Sequence, residues 1–163
     1  MIKRSDIQKI INEYTDLRIG VLGSHSALEI MDGAKDENFD TIVFCQKGRE
    51  TPYQRFSRIA NEIKVLKKFS DMSSIKNQKM LRDTNTLIVP HRSLTAYLGY
   101  KTIENSFKVP IFGNRALFQA EERNNKKNQY YLLRKAGLKH PKIFKNPKDI
   151  NRPSIVKVQE KNR

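Results

Sequence analysis

A chain of 163 residues, 37% of them hydrophobic, can bury the core of one ordinary domain and hold the start of a second. It has no apolar run near the roughly 20 residues of a membrane helix, no apolar core for a signal peptide and a single cysteine, so a cytoplasmic protein without an internal disulfide is expected. The net charge of +15 attracts polyanions or phosphorylated small molecules, but the basic residues are scattered, which favours a solvated surface over a nucleic-acid-binding face.

The first two thirds of the sequence alternate between helical and strand patterns. Ile7, Ile10 and Tyr14 follow helical spacing and predict a first helix over residues 5–14, which Ser5 and Gln8 would begin as a capping box. Further helices are predicted at 27–36 and 74–81, and strands at 19–22, 41–45, 62–66 and 86–90. This alternation predicts an α/β fold with a parallel, Rossmann-like sheet.

A small polar turn follows the first predicted strand. Gly23 lets the backbone come close to a ligand, and Ser24 and Ser26 offer hydroxyls. Ser26 can also cap the next helix, whose free amides favour an anion such as phosphate. His25 adds a group that donates, accepts or carries charge near neutral pH. Taken alone, the stretch also fits an ordinary capped turn with a surface histidine.

Two more polar turns follow strands of the same sheet. Lys47 and Arg49 come after the second strand, and Arg49 can grip phosphate with two hydrogen bonds, although a solvated basic loop explains them equally well. His91 and Ser93 follow the fourth strand and repeat the His–Ser pattern. Because parallel strands end at one edge, the two His–Ser turns predict a shared ligand site. Cys45 ends a strand and is expected to be a buried structural thiol, and no metal-ligand spacing is present.

The last third of the sequence changes in composition. An edge strand is predicted around Pro110, and a domain boundary is placed near Asn114. Beyond it the pattern predicts a long polar helix over 116–127, a short helix over 130–138 that Gly137 ends, and a strand over 154–158.

Several long motifs stand in order along the chain and together carry a family resemblance. They are LGSHS (22–26), KGR (47–49), PYxRF (52–56), VPHxS (89–93), ENSFxVPxFGNR (104–115) and LLRxAGL (132–138). With them the chain resembles the archaeal formate-dependent ligases of purine biosynthesis, the 5-formaminoimidazole-4-carboxamide ribonucleotide synthetases of the ATP-grasp class. The resemblance spans essentially the whole chain.

The resemblance implies a fold, a reaction and site residues. Residues 1–114 would be a pre-ATP-grasp ribonucleotide-binding domain, and residues 115–163 a linker helix and the first part of an ATP-grasp domain. With ATP and Mg²⁺ or Mn²⁺, such a ligase joins formate to aminoimidazole carboxamide ribonucleotide through formyl phosphate. By this resemblance, His25 and Ser93 would contact the ribonucleotide and Lys157 would contact ATP. Gly23, Ser24, Lys47 and Arg49, read from the turns themselves, are the other candidate substrate-binding residues.

The sequence departs from the family at two places. Arg92 stands where the family has a glycine. Its long cationic side chain would either crowd the ribonucleotide pocket or add a contact to phosphate. The metal-binding carboxylates of the family would follow residue 163, so the chain is expected to be incomplete for catalysis and to need a complementary chain or a homo-oligomer. A non-catalytic nucleotide-binding or regulatory module that acts with a full-length paralogue stays an alternative, and the scattered charge disfavours a nucleic-acid-binding protein.

Overall fold

The computed structural model describes residues 1–123 and 125–156. Helices and strands alternate over the first two thirds of the chain. In chain order the elements are α1 (Arg4–Asn12), β1 (Arg18–Leu22), α2 (Ala27–Asp36), β2 (Asp40–Gln46), α3 (Thr51–Arg55), β3 (Glu62–Leu66), α4 (Ile75–Asp83), β4 (Thr86–Ile88), α5 (Arg92–Leu98), α6 (Tyr100–Asn105) and α7 (Gln129–Lys135).

The four strands form one parallel sheet in the order β3-β2-β1-β4. β2 lies between β1 and β3 and is buried from Thr41 to Cys45, as expected for a near-continuous apolar strand covered on both faces. Beyond β4, Ile111 pairs with Ile88 in a single parallel bridge. The preceding residue, Pro110, accepts a hydrogen bond from the Ile88 N–H through its carbonyl. The predicted α/β fold with a parallel sheet is therefore confirmed.

The core on one face of this sheet joins β1 and β2 to α2. Ala27, Met31 and Ala34 follow one another at helical spacing and are the buried residues of α2. Ala27 and Met31 pack in a hydrophobic cluster with six buried residues from outside α2: Val21, Val43, Cys45, Tyr53, Ile59 and Ala60. Burying a side chain such as Met31 contributes roughly 1.5–3 kcal/mol, so this cluster holds α2 on the sheet and sets the direction in which the β1–α2 turn leaves it.

The first helix begins differently from the prediction. Ser5 lies inside α1, and Lys3 occupies the position before it without a side-chain hydrogen bond to the helix. The predicted capping box of Ser5 and Gln8 is therefore wrong. Gln8 instead donates a hydrogen bond from its side-chain amide to the Asn12 side chain one turn later, at 2.9 Å.

The chain divides into two compact units, Met1–Arg115 and Ala116–Arg163. In the second unit, the predicted polar helix over 116–127 is wrong: the chain forms a 3-10 turn over Arg115–Glu121. Asn125 explains part of this, because its side-chain oxygen accepts from the Lys127 N–H, a local bond that competes with helix formation. The assignment of the two units to pre-ATP-grasp and ATP-grasp domains stays a prediction.

The final predicted elements have different outcomes. α7 follows an Asn128 side chain that accepts from the Tyr131 N–H, and Gly137 has a positive φ of 67° just after the helix, as predicted for a glycine that ends it. Residues 154–156 are exposed and form no strand. Residues 157 and 158 of the predicted strand lie outside the described residues.

Candidate functional site

Three turns meet where β1, β2 and β4 end, at what we call the carboxyl edge of the sheet. They are residues 23–26 after β1, 47–50 after β2 and 89–93 after β4. The register pairs Leu22 with Phe44 on one side of β1, and Gly20 with Ile88 on the other. Because the strands are parallel and adjacent, the turns leave the sheet side by side, which is the usual place for ligands in such folds.

The turn after β1 begins with a glycine that the packing requires. The Gly23 N–H donates to the Phe44 carbonyl at 2.7 Å, which continues the pairing with β2. A Cβ at Gly23 would lie 2.9 Å from the Cys45 Sγ and 3.0 Å from the Tyr53 ring. No larger residue fits without displacing these neighbours, so Gly23 brings the turn close against β2 and α3.

His25 and the two serines give this turn its polar surface. His25 is exposed and adopts a positive φ of 49°, and a hydrogen bond of 2.6 Å joins its Nδ1 to the Ser26 Oγ. Ser26 precedes α2 but makes no side-chain bond to the helix amides, so its predicted role as a side-chain cap is wrong. The Ser24 carbonyl accepts from the Ala27 N–H at 3.1 Å, so Ser24 shapes the turn through its backbone.

His91 connects two of the three turns. Its Nε2 lies 2.8 Å from the Leu22 carbonyl, which can only accept, so Nε2 carries the proton. Its Nδ1 then accepts from the Ser93 N–H at 3.3 Å and caps α5. The ring also stacks on that of His25, with the two centroids 5.8 Å apart and the planes at 16°. Sequence reasoning treated His91 as a member of a polar turn and missed this connecting role.

His25 and Ser93, the two residues predicted to contact a ligand, both contact His91. Ser93 is the second residue of α5 and is 8% exposed. The His25 ring stacks on His91, and the Ser93 N–H donates to that same imidazole. The structure therefore brings the two predicted residues to one part of the carboxyl edge. Arg92 stands between His91 and Ser93 and is half-buried.

Lys47 and Arg49 lie on the neighbouring turn. Lys47 is exposed, and its N–H donates to the Leu66 carbonyl at 2.8 Å, which continues the pairing with β3. The Arg49 guanidinium lies 5.8 Å from the centre of the Phe69 ring, and its Nη1 is 3.5 Å from the Tyr97 hydroxyl. Because Tyr97 belongs to α5, Arg49 reaches from the turn after β2 toward the helix that carries Ser93.

Protonation of His91 is expected to make the protein less stable at mildly acidic pH. Burial lowers the pKa of His91 below its usual 6.5, and His25 lowers it further, against the opposing effects of the hydrogen bond to Leu22 and the charge of Glu29. The unfolded chain therefore binds more protons just below pH 6.5, and the free energy of unfolding decreases as the pH falls through that range.

Urea unfolding of the wild type and of His91→Gln at several pH values between 5 and 8 tests this (a range set by the histidine pKa, about 6.5). The wild type should lose more stability toward pH 5 than the variant does, because glutamine has no proton to gain. Both proteins share all other titrating groups, so the difference between them reports His91 together with its interaction with His25. Parallel curves for the two proteins would contradict the prediction.

Cys45 supplies no reactive thiolate to the carboxyl edge, and no metal site was found among the described residues. Burial and the nearby charge of Glu50 raise the pKa of Cys45 to about 12, which keeps the thiol neutral, in keeping with a buried structural role. Among the described residues, no three His, Cys, Asp or Glu side chains lie close enough to hold a metal ion.

None of the described helices has the length and apolarity that a bilayer span requires. Lys157, predicted to contact ATP, lies outside the described residues.

A surface depression of about 710 Å³ lies at the opposite edge of the sheet, where the strands begin. Its walls come from nine residues: Thr15, Asp16, Leu17, Arg18, Asn38, Phe39, Asp40, Thr84 and Asn85. It contains none of the residues predicted to bind a ligand. The carboxylates of Asp16 and Asp40 disfavour a phosphate there, so the chemistry favours the carboxyl edge over this depression.

Comparison with known proteins gives one family and a consistent set of relatives. Residues 19–144 match the profile of the family described as "Protein of unknown function (DUF1246)". Over 159 residues the chain is 46% identical to the 5-formaminoimidazole-4-carboxamide-1-(beta)-D-ribofuranosyl 5'-monophosphate synthetase of Methanopyrus kandleri, covering 96% of this chain and 44% of the relative. It is 42% identical over 158 residues to the protein of the same name from Methanothermobacter thermautotrophicus, covering 96% of this chain and 43% of the relative.

A solved structure agrees with these relatives. The chain is similar to the crystal structure of an IMP biosynthesis protein, PurP, from Thermococcus kodakaraensis, with 29% identity and a TM-score of 0.60, over 82% of this chain and 41% of the other. The resemblance drawn from the motifs is therefore confirmed. The chain spans less than half the length of the curated relatives it matches.

Proposed function

The chain belongs to the family described as "Protein of unknown function (DUF1246)", and on that premise we propose that it is the ribonucleotide-binding part of a formate-dependent ligase of purine biosynthesis. The relatives are named as synthetases of a formamido-imidazole carboxamide ribonucleotide. The proposed substrate of this chain is the corresponding amine, aminoimidazole carboxamide ribonucleotide. A cytoplasmic location is part of the same proposal.

One observation supports the proposal: His25 and Ser93 lie at one edge of the sheet and both contact the imidazole of His91. The Nδ1 and Nε2 atoms of His91 are both engaged with the protein, so His91 positions its neighbours. The Nε2 of exposed His25 and the Ser93 hydroxyl are the groups proposed to contact the ribonucleotide. Gly23 and Ser24 are proposed to bring the backbone of the first turn alongside the bound ribonucleotide.

The cations of the second turn are proposed to bind the 5'-phosphate. Lys47 is exposed and supplies a point charge, and Arg49 offers a planar fork of donors that suits phosphate oxygens. Contact with Phe69 and Tyr97 limits the conformations of the Arg49 side chain, which lowers the entropy lost when phosphate binds. A phosphate at this position would place the sugar and base toward the turn after β1.

The ATP-dependent chemistry is not assigned to the described residues. They hold no cluster of side chains suited to Mg²⁺ or Mn²⁺, and the lysine proposed for ATP, Lys157, is not among them. In the proposal, formate activation belongs to the part of the relatives that this chain does not match. The described part binds the ribonucleotide and presents its amine.

Isothermal titration with aminoimidazole carboxamide ribonucleotide tests the proposal. The wild type should bind, and His25→Ala and Ser93→Ala should each weaken binding about tenfold or more, which is about 1.4 kcal/mol. Thr15→Ala is the matched control because Thr15 is exposed at the opposite edge of the same sheet, and it should bind like the wild type. Absence of binding heat from the wild type at millimolar ligand would refute the proposal.

A further inference from the structure

Glu50 lies at the carboxyl edge, and one oxygen of its carboxylate has no hydrogen-bond partner among the described residues. It directly follows Arg49 and precedes α3, and its side chain makes no hydrogen bond to the first amides of that helix. Its Oε2 atom is shielded from solvent, and none of the described residues donates a hydrogen bond to it. Leaving a shielded carboxylate oxygen unpaired is unfavourable. Glu50 as a residue is only half-buried, so a rotation of its side chain can bring the carboxylate to a donor from outside the fold.

Glu50 and the turn after β1 share the same neighbours. The Glu50 carbonyl accepts from the Tyr53 N–H at 3.0 Å, and the charge of Glu50 acts on the Cys45 thiol. Those two residues, Cys45 and Tyr53, are also the side chains that pack against Gly23. Glu50 therefore lies near the two side chains, Cys45 and Tyr53, against which the turn that carries Ser24 and His25 packs.

We infer that Glu50 accepts a hydrogen bond from an N–H or O–H group of the bound ribonucleotide and so determines which end of the ligand faces the β1 turn. This inference rests on the proposed function. A carboxylate accepts hydrogen bonds and repels phosphate, whose oxygens are also negative acceptors. The phosphate therefore lies toward Lys47 and Arg49, and the donor-bearing part of the ligand, ribose hydroxyls or the amino and carboxamide groups of the base, lies toward Glu50.

The test compares the wild type with Glu50→Gln by isothermal titration with three probes. Glutamine keeps the size of the side chain and removes its charge. Binding of aminoimidazole carboxamide ribonucleotide should weaken about tenfold or more, because hydrogen bonds to a charged acceptor are the strong ones. Inorganic phosphate should bind the variant as well as the wild type or better, since a repelling charge is gone.

Ribose 5-phosphate, the third probe, identifies the donor. If the variant weakens ribose 5-phosphate as much as the full ribonucleotide, the hydroxyls bind Glu50; if it weakens only the ribonucleotide, the base does. Either result supports the inference. Equal affinity of the variant and the wild type for the ribonucleotide would overturn it and leave the proposed function intact, whereas a wild type that does not bind would overturn both.

Stability measurements separate ligand recognition from a structural role. Removing an unpaired, shielded charge should leave the free energy of unfolding of Glu50→Gln unchanged or raise it. Glu37→Gln is the matched control, because Glu37 is exposed at the end of α2, and it should change neither affinity nor stability. A Glu50→Gln protein that loses stability and keeps its affinity would show that Glu50 serves the fold, against the inference.

Discussion

Replacement of Arg115 by methionine is expected to lower the free energy of unfolding by about 3–5 kcal/mol, the largest effect of any substitution considered. The Arg115 Nη1 donates to the carbonyls of Ile103 and Phe107 at 2.6 and 2.7 Å. Its Nη2 donates to the Val109 carbonyl at 2.6 Å. One guanidinium thus satisfies three carbonyls around the end of α6, and methionine would fill its volume and satisfy none of them.

Urea or thermal unfolding measures this effect, with Arg4→Met as the matched control. Arg4 is exposed in the first turn of α1, so its replacement should change stability by less than about 0.5 kcal/mol. Arg115→Lys should be intermediate, because one ammonium cannot reproduce the fixed fork of a guanidinium. Equal unfolding free energies for Arg115→Met and Arg4→Met would contradict the prediction.

Replacement of His91 by alanine is expected to weaken ribonucleotide binding about tenfold or more and to lower the unfolding free energy by about 1–2 kcal/mol. The change removes the acceptor for the Ser93 N–H and the donor to the Leu22 carbonyl. It also removes the ring on which His25 stacks. The two proposed ligand contacts then lose their common support, although His91 itself is not proposed to touch the ligand.

A second variant separates the two consequences of losing His91. Asparagine is a favourable residue before a helix, so His91→Asn should recover the cap on α5 and much of the lost stability. Its shorter side chain does not span both the Ser93 amide and the Leu22 carbonyl, so affinity should stay low. Calorimetric binding and urea unfolding of both variants check this, and wild-type affinity in His91→Ala would disprove the positioning role.

The strands and the turns that follow them could be read from the sequence because their signal is local. Apolar runs such as 19–22 and 41–45 predict strands within one or two residues of those observed, since a parallel strand covered on both faces must be apolar along its length. Where the apolar pattern was weak, prediction failed. The stretch 116–127 is apolar only in its first residues, and the Asn125 side chain takes up the Lys127 amide that a helix would need.

For the candidate site, the sequence alone determined that His–Ser turns follow β1 and β4 at one edge and that the chain carries the motifs of its family. Only the tertiary structure decided that His91 bonds to Leu22, 69 residues away, and that a shielded oxygen of Glu50 finds no partner in the part of the chain that the structure describes. The physical reason is that burial periodicity is a property of neighbouring residues, whereas a side chain's partners depend on which distant segments the packed sheet brings together.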